Sequence, residues 1–277
     1  MYEPKYYIVF DIERNFRPYQ SHAPTEIVDI GAIKIEAGTM SIIEVFSSLV
    51  KPTASLSRHT TKLTGITKQD LKGVEKFPYV MERFREFVGE DYMLVTWGRE
   101  DYGFLTQDCK FHNVECPCLE KERRFDLQGF VLQAYTEVFQ SHPSLMSAVT
   151  QFDLEWEGTQ HRAFADAKNT ANLFLTVAKQ KDIRKRYKRN IELVLVNNGS
   201  LTDKGKKKMK RWVFKELKKN GGMQLTWETF LNSGTWENVS DQYDFDNTTM
   251  QLLQGYFKTA LKKAKQQLQI LAAMNNE

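Results

Sequence analysis

Two carboxylates stand one residue apart in Asp11-Ile12-Glu13, at the end of an apolar run that starts near Lys5. In an extended strand, side chains at i and i+2 share a face. Both acids would point the same way and repel each other unless a cation lay between them. Oxygen donors of this kind suit a hard divalent ion, Mg²⁺ or Mn²⁺. Alone, the triplet reads more simply as a solvated strand end. Asp101 follows Trp97-Gly98, where a second apolar run gives way to a helical pattern. By itself it is a first-turn helix carboxylate; beside Asp11 and Glu13 it is a third ligand delivered by a neighbouring strand end. His161 and Asp166 make the third group. Five positions on a regular helix turn through about 140°. The two therefore converge only if His161 lies on the loop before the helix that carries Asp166, and Gly158 supplies a break there. A neutral imidazole held so can act as general base. The plain alternative is a surface His–Asp pair.

The elements that must position these residues can be read from the pattern. Strands are expected over 5–13, 26–36 and 40–50, an antiparallel meander ended by Pro52. Helices follow near 60–73 and 78–89, then a buried strand over 91–97 turned by Gly98. Helical patterns cover 100–111, 126–140, 144–152 and 162–180. Strands first and helices interleaved later imply an α/β architecture, a mixed sheet flanked by helices.

The chain has 277 residues, 41% hydrophobic and 27% charged, as expected of a globular protein with a sizeable core. No apolar run is long enough to cross a membrane, and the start lacks the basic flank and apolar stretch of a secretion signal. Three cysteines, an odd number, predict reduced thiols and a cytoplasmic setting. Cys116-Pro117-Cys118 is spaced too tightly for zinc. Charge is unevenly spread. Residues 179–219 hold 16 Lys and Arg against 4 Asp and Glu, so with a net charge of +4 the rest of the chain carries −8. Lys185, Arg186, Lys188 and Arg189 form one basic cluster, and Lys207 and Lys208 lie in another. Such blocks neutralise phosphates, or are a solvated helix face. Ser200 is the expected cap of a basic helix reaching Lys219 and stopped by Asn220-Gly221-Gly222. A long helix is expected over 248–274, with Met250, Leu253, Phe257, Leu261, Ala264, Leu268 and Leu271 recurring at three and four. That stripe is a packing face first, and otherwise a face for a protein partner or self-association. The division expected is a domain at 1–182 and a basic, mainly helical C-terminal extension at 183–277.

Taken in order, Asp-x-Glu, an Asp after a Trp-Gly strand end, and His-x₄-Asp resemble the DnaQ-like superfamily of 3′→5′ exonucleases. Asp11, Glu13, Asp101, His161 and Asp166 match the five letters of its DEDDh subgroup. Phe10 to Glu13, Glu26 to Ala32, Leu63 to Thr67 and Ala167 to Ala171 also resemble family segments. The likeness runs from residue 5 to about 180, and the Thr96-Trp97-Gly98-x-x-Asp101 wording is nearest the Eri-type and KapD-type branch. The resemblance implies a ribonuclease H-like fold and phosphodiester hydrolysis with two divalent cations, Mg²⁺ or Mn²⁺. Asp11, Glu13, Asp101 and Asp166 would hold them, and His161 would take a proton from water. By the same likeness Phe16, Leu63 and Trp97 would line the pocket for a terminal base, Glu13 and Glu26 would receive sugar hydroxyls, and the products would be nucleoside 5′-monophosphates. Asp126 is expected to cap a helix. One departure is Arg14-Asn15-Phe16, where relatives carry a Thr that holds the terminal nucleotide. The reading is an exonuclease acting on single-stranded RNA or DNA 3′ ends, RNA slightly ahead. Its rivals are a regulatory module binding nucleic acid or protein on the same fold, and a DNA polymerase proofreading subunit.

Overall fold

The structure is a computed structural model and describes residues 2–17, 24–118, 120–139, 141–190, 196–197, 200–219, 225–241 and 243–274. Backbone contacts divide it into two compact units, one of residues 1–131 and 142–185, the other of 132–141 and 186–277.

The first unit is built on a five-stranded sheet. Strands β1 (Tyr6–Arg14), β2 (Ile27–Glu36) and β3 (Ser41–Leu49) form the expected antiparallel meander, and β4 (Tyr92–Thr96) and β5 (Arg124–Asp126) add in parallel, in the order β3-β2-β1-β4-β5. The sheet is therefore mixed. Alternation along β1 sends Ile8, Phe10 and Ile12 to one face, where they meet α2 (Phe77–Val88) and α3 (Glu100–Phe111) in the main core. On α2, Phe77, Val80, Met81, Phe84, Phe87 and Val88 are all buried at helical spacing. Each such side chain contributes about 1.5–3 kcal/mol. The other face, carrying Tyr7, Val9, Asp11 and Glu13, is covered by α6 (Ala163–Gln180), whose Phe174 ring sits 4.9 Å from that of Tyr7. Along the chain, α1 (Arg58–Thr64) precedes α2, and α4 (Leu127–Ala134) and α5 (Leu145–Gln151) come between β5 and α6. The three free cysteines are buried, Cys109 on α3 and Cys116 and Cys118 shortly after it in the chain.

Two helices are shorter than the pattern suggested. The one expected to reach residue 73 stops at Thr64, because Gly65 turns left-handed at φ 73° and donates its amide to Thr61. The one expected over 126–140 ends at Ala134. Strand β5 was not anticipated; three residues with charged ends are too few to show alternation.

The second unit contains α7 (Asp203–Lys219), α8 (Trp227–Leu231), α9 (Gly234–Ser240) and α10 (Asn247–Met274), with short strands β6 (Arg189–Asn190), β7 (Val196–Asn197), β8 (Ser200–Leu201) and β9 (Tyr243–Asp244). Ser200 belongs to β8, and α7 starts three residues later, where Thr202 Oγ1 accepts the amide of Gly205 at 3.2 Å. Thr202, not Ser200, is the cap. The stop expected at Asn220-Gly221-Gly222 lies outside the described residues. α7 buries Met209, Val213 and Leu217 against Leu253, Phe257, Ala260 and Ala264 of α10, with Phe230 of α8 between. The long apolar stripe is thus a packing face within the unit; the side chain of Leu271 lies outside the described residues. Among the described residues, no helix is long and apolar enough to cross a membrane.

Candidate active site

The site is assembled by the register of β1 on β2. Asp11 pairs with Gly31 and Glu13 with Asp29, so these four positions share one patch of the sheet. Gly31 has no side chain, and the first turn of α6 fills the space. A Cβ there would lie 2.2 Å from the backbone nitrogen of Phe164 and 2.3 Å from the carbonyl carbon of Ala163. Asp29 fixes the same turn from beside it, accepting from Arg162 Nε at 2.9 Å and from the amide of Ala163 at 3.3 Å. The start of α6 is thereby seated directly on β2, beside the strand that carries Asp11 and Glu13, and Asp166 is in its first turn. His161 lies on the loop just before, with a left-handed backbone at φ 62°. A non-glycine residue in that region costs of order 1 kcal/mol and marks an imposed geometry. The loop is held by Asn169, whose side chain donates to the carbonyls of Glu157 and Ala165 and accepts the amide of Glu157. Asp101 sits in the first turn of α3, following β4 and the Gly98 turn at φ 103°.

Glu13, His161 and Asp166 each offer a ligand atom within 4.8 Å of the others. The backbone amide of His161 donates to Asp166, yet Asp166 Oδ1 is buried with no hydrogen-bond partner. A buried acceptor without a donor is costly, and its natural complement is a cation. The electrostatics agree. Burial, then the neighbouring Asp101, Asp166 and Glu13, drives the carboxyl of Asp11 well above the usual range. Burial and Asp166 push Glu13 up to about 8. Burial and Glu100 push Asp101 to about 7, and burial raises Asp166 to about 6. Four acids that disfavour one another's ionisation fit a divalent cation set, and their all-oxygen chemistry fits Mg²⁺ or Mn²⁺.

Comparison with known proteins bears on what such a site does. The family model described as Exonuclease (RNase_T) matches residues 8–174. The chain belongs to this DnaQ-like 3′→5′ exonuclease family. DNA polymerase III subunit epsilon of Aquifex aeolicus is 30% identical over 177 residues, which cover 62% of this exonuclease and 76% of the relative. DNA polymerase III PolC-type of Bacillus subtilis is 30% identical over 181 residues, 64% of this chain but only 12% of that much longer relative. Among solved structures, the nuclease domain of 3′hExo, a DEDDh family member bound to rAMP, superposes with a TM-score of 0.57 at 20% identity, covering 64% of this chain and 93% of that one. Cell-death related nuclease 4 gives 0.56 at 19%, covering 64% of each. These likenesses establish the ribonuclease H-like exonuclease fold.

Phe16 is exposed and meets His59 edge-on at 6.2 Å, while Leu63 and Trp97 are half-buried. Glu26 is not available to a sugar. It is buried, one oxygen accepting from the amide and hydroxyl of Thr53 and the other from the amide of Ala54. Its role is to tie the start of β2 to that loop. The departure Arg14-Asn15 is also internal. Arg14 donates to the carbonyl and hydroxyl of Thr25 and lies over the Phe104 ring, and Asn15 bridges Ser55 and Ser57. Asp126 Oδ1 accepts the amide of Gly129 and caps α4 as expected. Of the basic residues, Arg189 is buried and donates to the carbonyl of Phe139, so it is no phosphate contact. Arg186 and Lys188 face Asp241 and Asp244 at 3.1 and 4.0 Å. The amide of Lys185 donates to the carbonyl of Asp182, and Lys207 and Lys208 are exposed on α7. Sequence reasoning missed Asp29, Gly31 and Arg162. The signal for them was an acid and a glycine inside an otherwise apolar strand.

Proposed function

We propose that this exonuclease removes nucleoside 5′-monophosphates from single-stranded 3′ ends, RNA ahead of DNA, with the aid of two divalent cations. The observation that carries the reading is the convergence of Glu13, His161 and Asp166 beneath the seat of α6, with Asp166 Oδ1 left unpartnered. Asp11, Glu13, Asp101 and Asp166 would hold the cations, and when bound these would stabilise the charge developing on the attacked phosphate and on the leaving oxygen. The residues supply the rest. His161 accepts the proton of the attacking water. The water oxygen bonds to phosphorus, the bond to the 3′ oxygen breaks, that oxygen takes a proton from solvent to leave a 3′ hydroxyl on the shortened strand, and His161 returns its proton to solvent. Its unusual backbone and the Asn169 contacts hold His161 at the mouth of the carboxylate cluster. Phe16, beside His59, offers a stacking surface for an unpaired base. The preference for RNA rests on the Thr96-Trp97-Gly98 wording shared with the Eri-type and KapD-type branch. Three buried free thiols accord with a reducing cytoplasm.

One observation favours a second reading, a DNA proofreading subunit: the 30% identity to the epsilon subunit of DNA polymerase III. A denaturing gel separates the two. Matched 5′-labelled single-stranded RNA and DNA are incubated with Mg²⁺, with EDTA as control and Asp11→Asn and His161→Ala variants alongside. The expected result is a descending ladder, faster on RNA, abolished by EDTA and lost in both folded variants. Faster shortening of DNA supports the proofreading reading, and a fully active Asp11→Asn protein would refute the site.

A further inference from the structure

Within the second unit, cations and anions are segregated. Helix α7 carries nine Lys and Arg against two acids, Asp203 and Glu216. Helix α10 carries Lys258, Lys262, Lys263 and Lys265 and no acid at all. The two helices pack directly on each other through their apolar faces, so the charged side of each is turned away from the other. On α7, Lys204, Lys207, Lys208, Arg211, Lys215 and Lys218 recur at three and four and are all exposed, on the side away from buried Met209, Val213 and Leu217. The stripe is about 21 Å long at the α-helical rise. Among the described residues, only Lys206 of these cations has a carboxylate within reach, Asp203 at 3.9 Å.

A surface of unpaired like charge destabilises the fold that bears it, and here the composition defines its complement. All but Arg211 are lysines, which act as point charges rather than the planar forks that read base edges. Among the described residues, neither helix exposes a large aromatic ring on which bases would stack. The face offers ammonium groups to a regular polyanion and nothing that distinguishes sequences. We propose that the basic face of α7 binds the phosphate backbone of the nucleic acid this exonuclease degrades, whatever its sequence. The proposal rests on the nuclease reading for the identity of the polyanion.

The test is fluorescence anisotropy of labelled 20-nucleotide RNA and DNA with the full chain in EDTA, which keeps the strands intact. With about five phosphates contacted, affinity falls about 100-fold between 50 and 200 mM salt. Two variants remove exposed cations without touching the core: Lys207→Gln/Lys208→Gln/Arg211→Gln on α7 and Lys258→Gln/Lys262→Gln on α10. Near 0.1 M salt, the first weakens binding about 100-fold with a shallower salt slope, and the second, on the side turned away from α7, changes it less than threefold. Thermal melting confirms that both variants are folded. Unchanged affinity in the first variant, or an equal loss in the second, overturns the proposal. So does a loss confined to binding of phosphatidylserine vesicles, which would assign the face to an anionic membrane. Release of mononucleotide from a trinucleotide by the unsubstituted chain with Mn²⁺ tests the nuclease reading separately. Its failure would leave the binding result standing.

Discussion

Replacing Gly31 by alanine puts a methyl carbon where the start of α6 already lies. The nearest atoms are backbone, 2.2 Å to the nitrogen of Phe164 and 2.3 Å to its Cα, whereas ordinary contact begins near 3.4 Å. No rotamer change relieves backbone, so the first turn of α6 must retreat by about 1 Å or the strand must bow. Overpacking of this kind costs about 1–3 kcal/mol, a fall of about 3–10 °C in Tm for a unit of this size. The larger effect is on chemistry. Asp166 and the loop bearing His161 move with the helix, away from Asp11 and Glu13, and a displacement of about 1 Å lowers a rate about 100-fold. Gly38→Ala is the matched control, since a Cβ at Gly38 meets nothing within 4 Å. The assay is mononucleotide release at 20 °C, with circular dichroism to show that both variants are folded. A folded Gly31→Ala protein with unchanged Tm and full rate would refute the account of how α6 is seated.

Three further outcomes follow from the same contacts. Glu13, Asp101 and Asp166 titrate near 8, 7 and 6 in the folded chain, above their ordinary values. Between pH 5 and 8 the folded state therefore holds more protons than the unfolded one, and stability is lost as pH rises through that window. In EDTA, Tm should be lower at pH 8.5 than at 5.5 by about 10 °C or more, and the gain on adding Mn²⁺ should grow with pH; a gain independent of pH contradicts the cluster. Arg162→Ala strips the buried carboxylate of Asp29 of its cation and should cost about 2 kcal/mol in urea unfolding, with the rate falling as well, because the same pair fixes the α6 turn. Glu26→Gln sets an amide donor against the Thr53 or Ala54 amide and should cost about 1–3 kcal/mol. It should leave the ratio of RNA to DNA hydrolysis unchanged; an altered ratio would return Glu26 to the substrate pocket.

Much of the sheet and most helices of the first unit were legible because β1, β2 and β4 are long apolar runs and α2 and α6 bury regular stripes. The same logic failed where a single backbone conformation decides, as at Gly65, and where an element is as short as β5. The five chemistry-bearing residues could be picked out by type and order, and the separation of His161 from Asp166 already demanded a loop before the helix. What could not be read was how tightly the pieces approach. That depends on Gly31 opposite Asp11 and Asp29 opposite Glu13, a register visible only once β1 and β2 are paired. Glu26 shows the reverse error: an acid next to a functional strand looks available until its three donors are seen. In the second unit, charge revealed α7 but not α8 and α9, whose caps Thr226 and Ser233 sit in a stretch without clear periodicity.

The seating of α6 on β2 also bears on when the molecule becomes dangerous to its own cell. Asp11 and Glu13 leave the ribosome some 150 residues ahead of His161 and Asp166, which reach them only when α6 docks over Gly31. Until then a growing chain holds no complete cutting centre, however much of the sheet has formed. A truncated product of interrupted synthesis is equally harmless, and the long sequence separation of its parts serves as a built-in delay that needs no inhibitor.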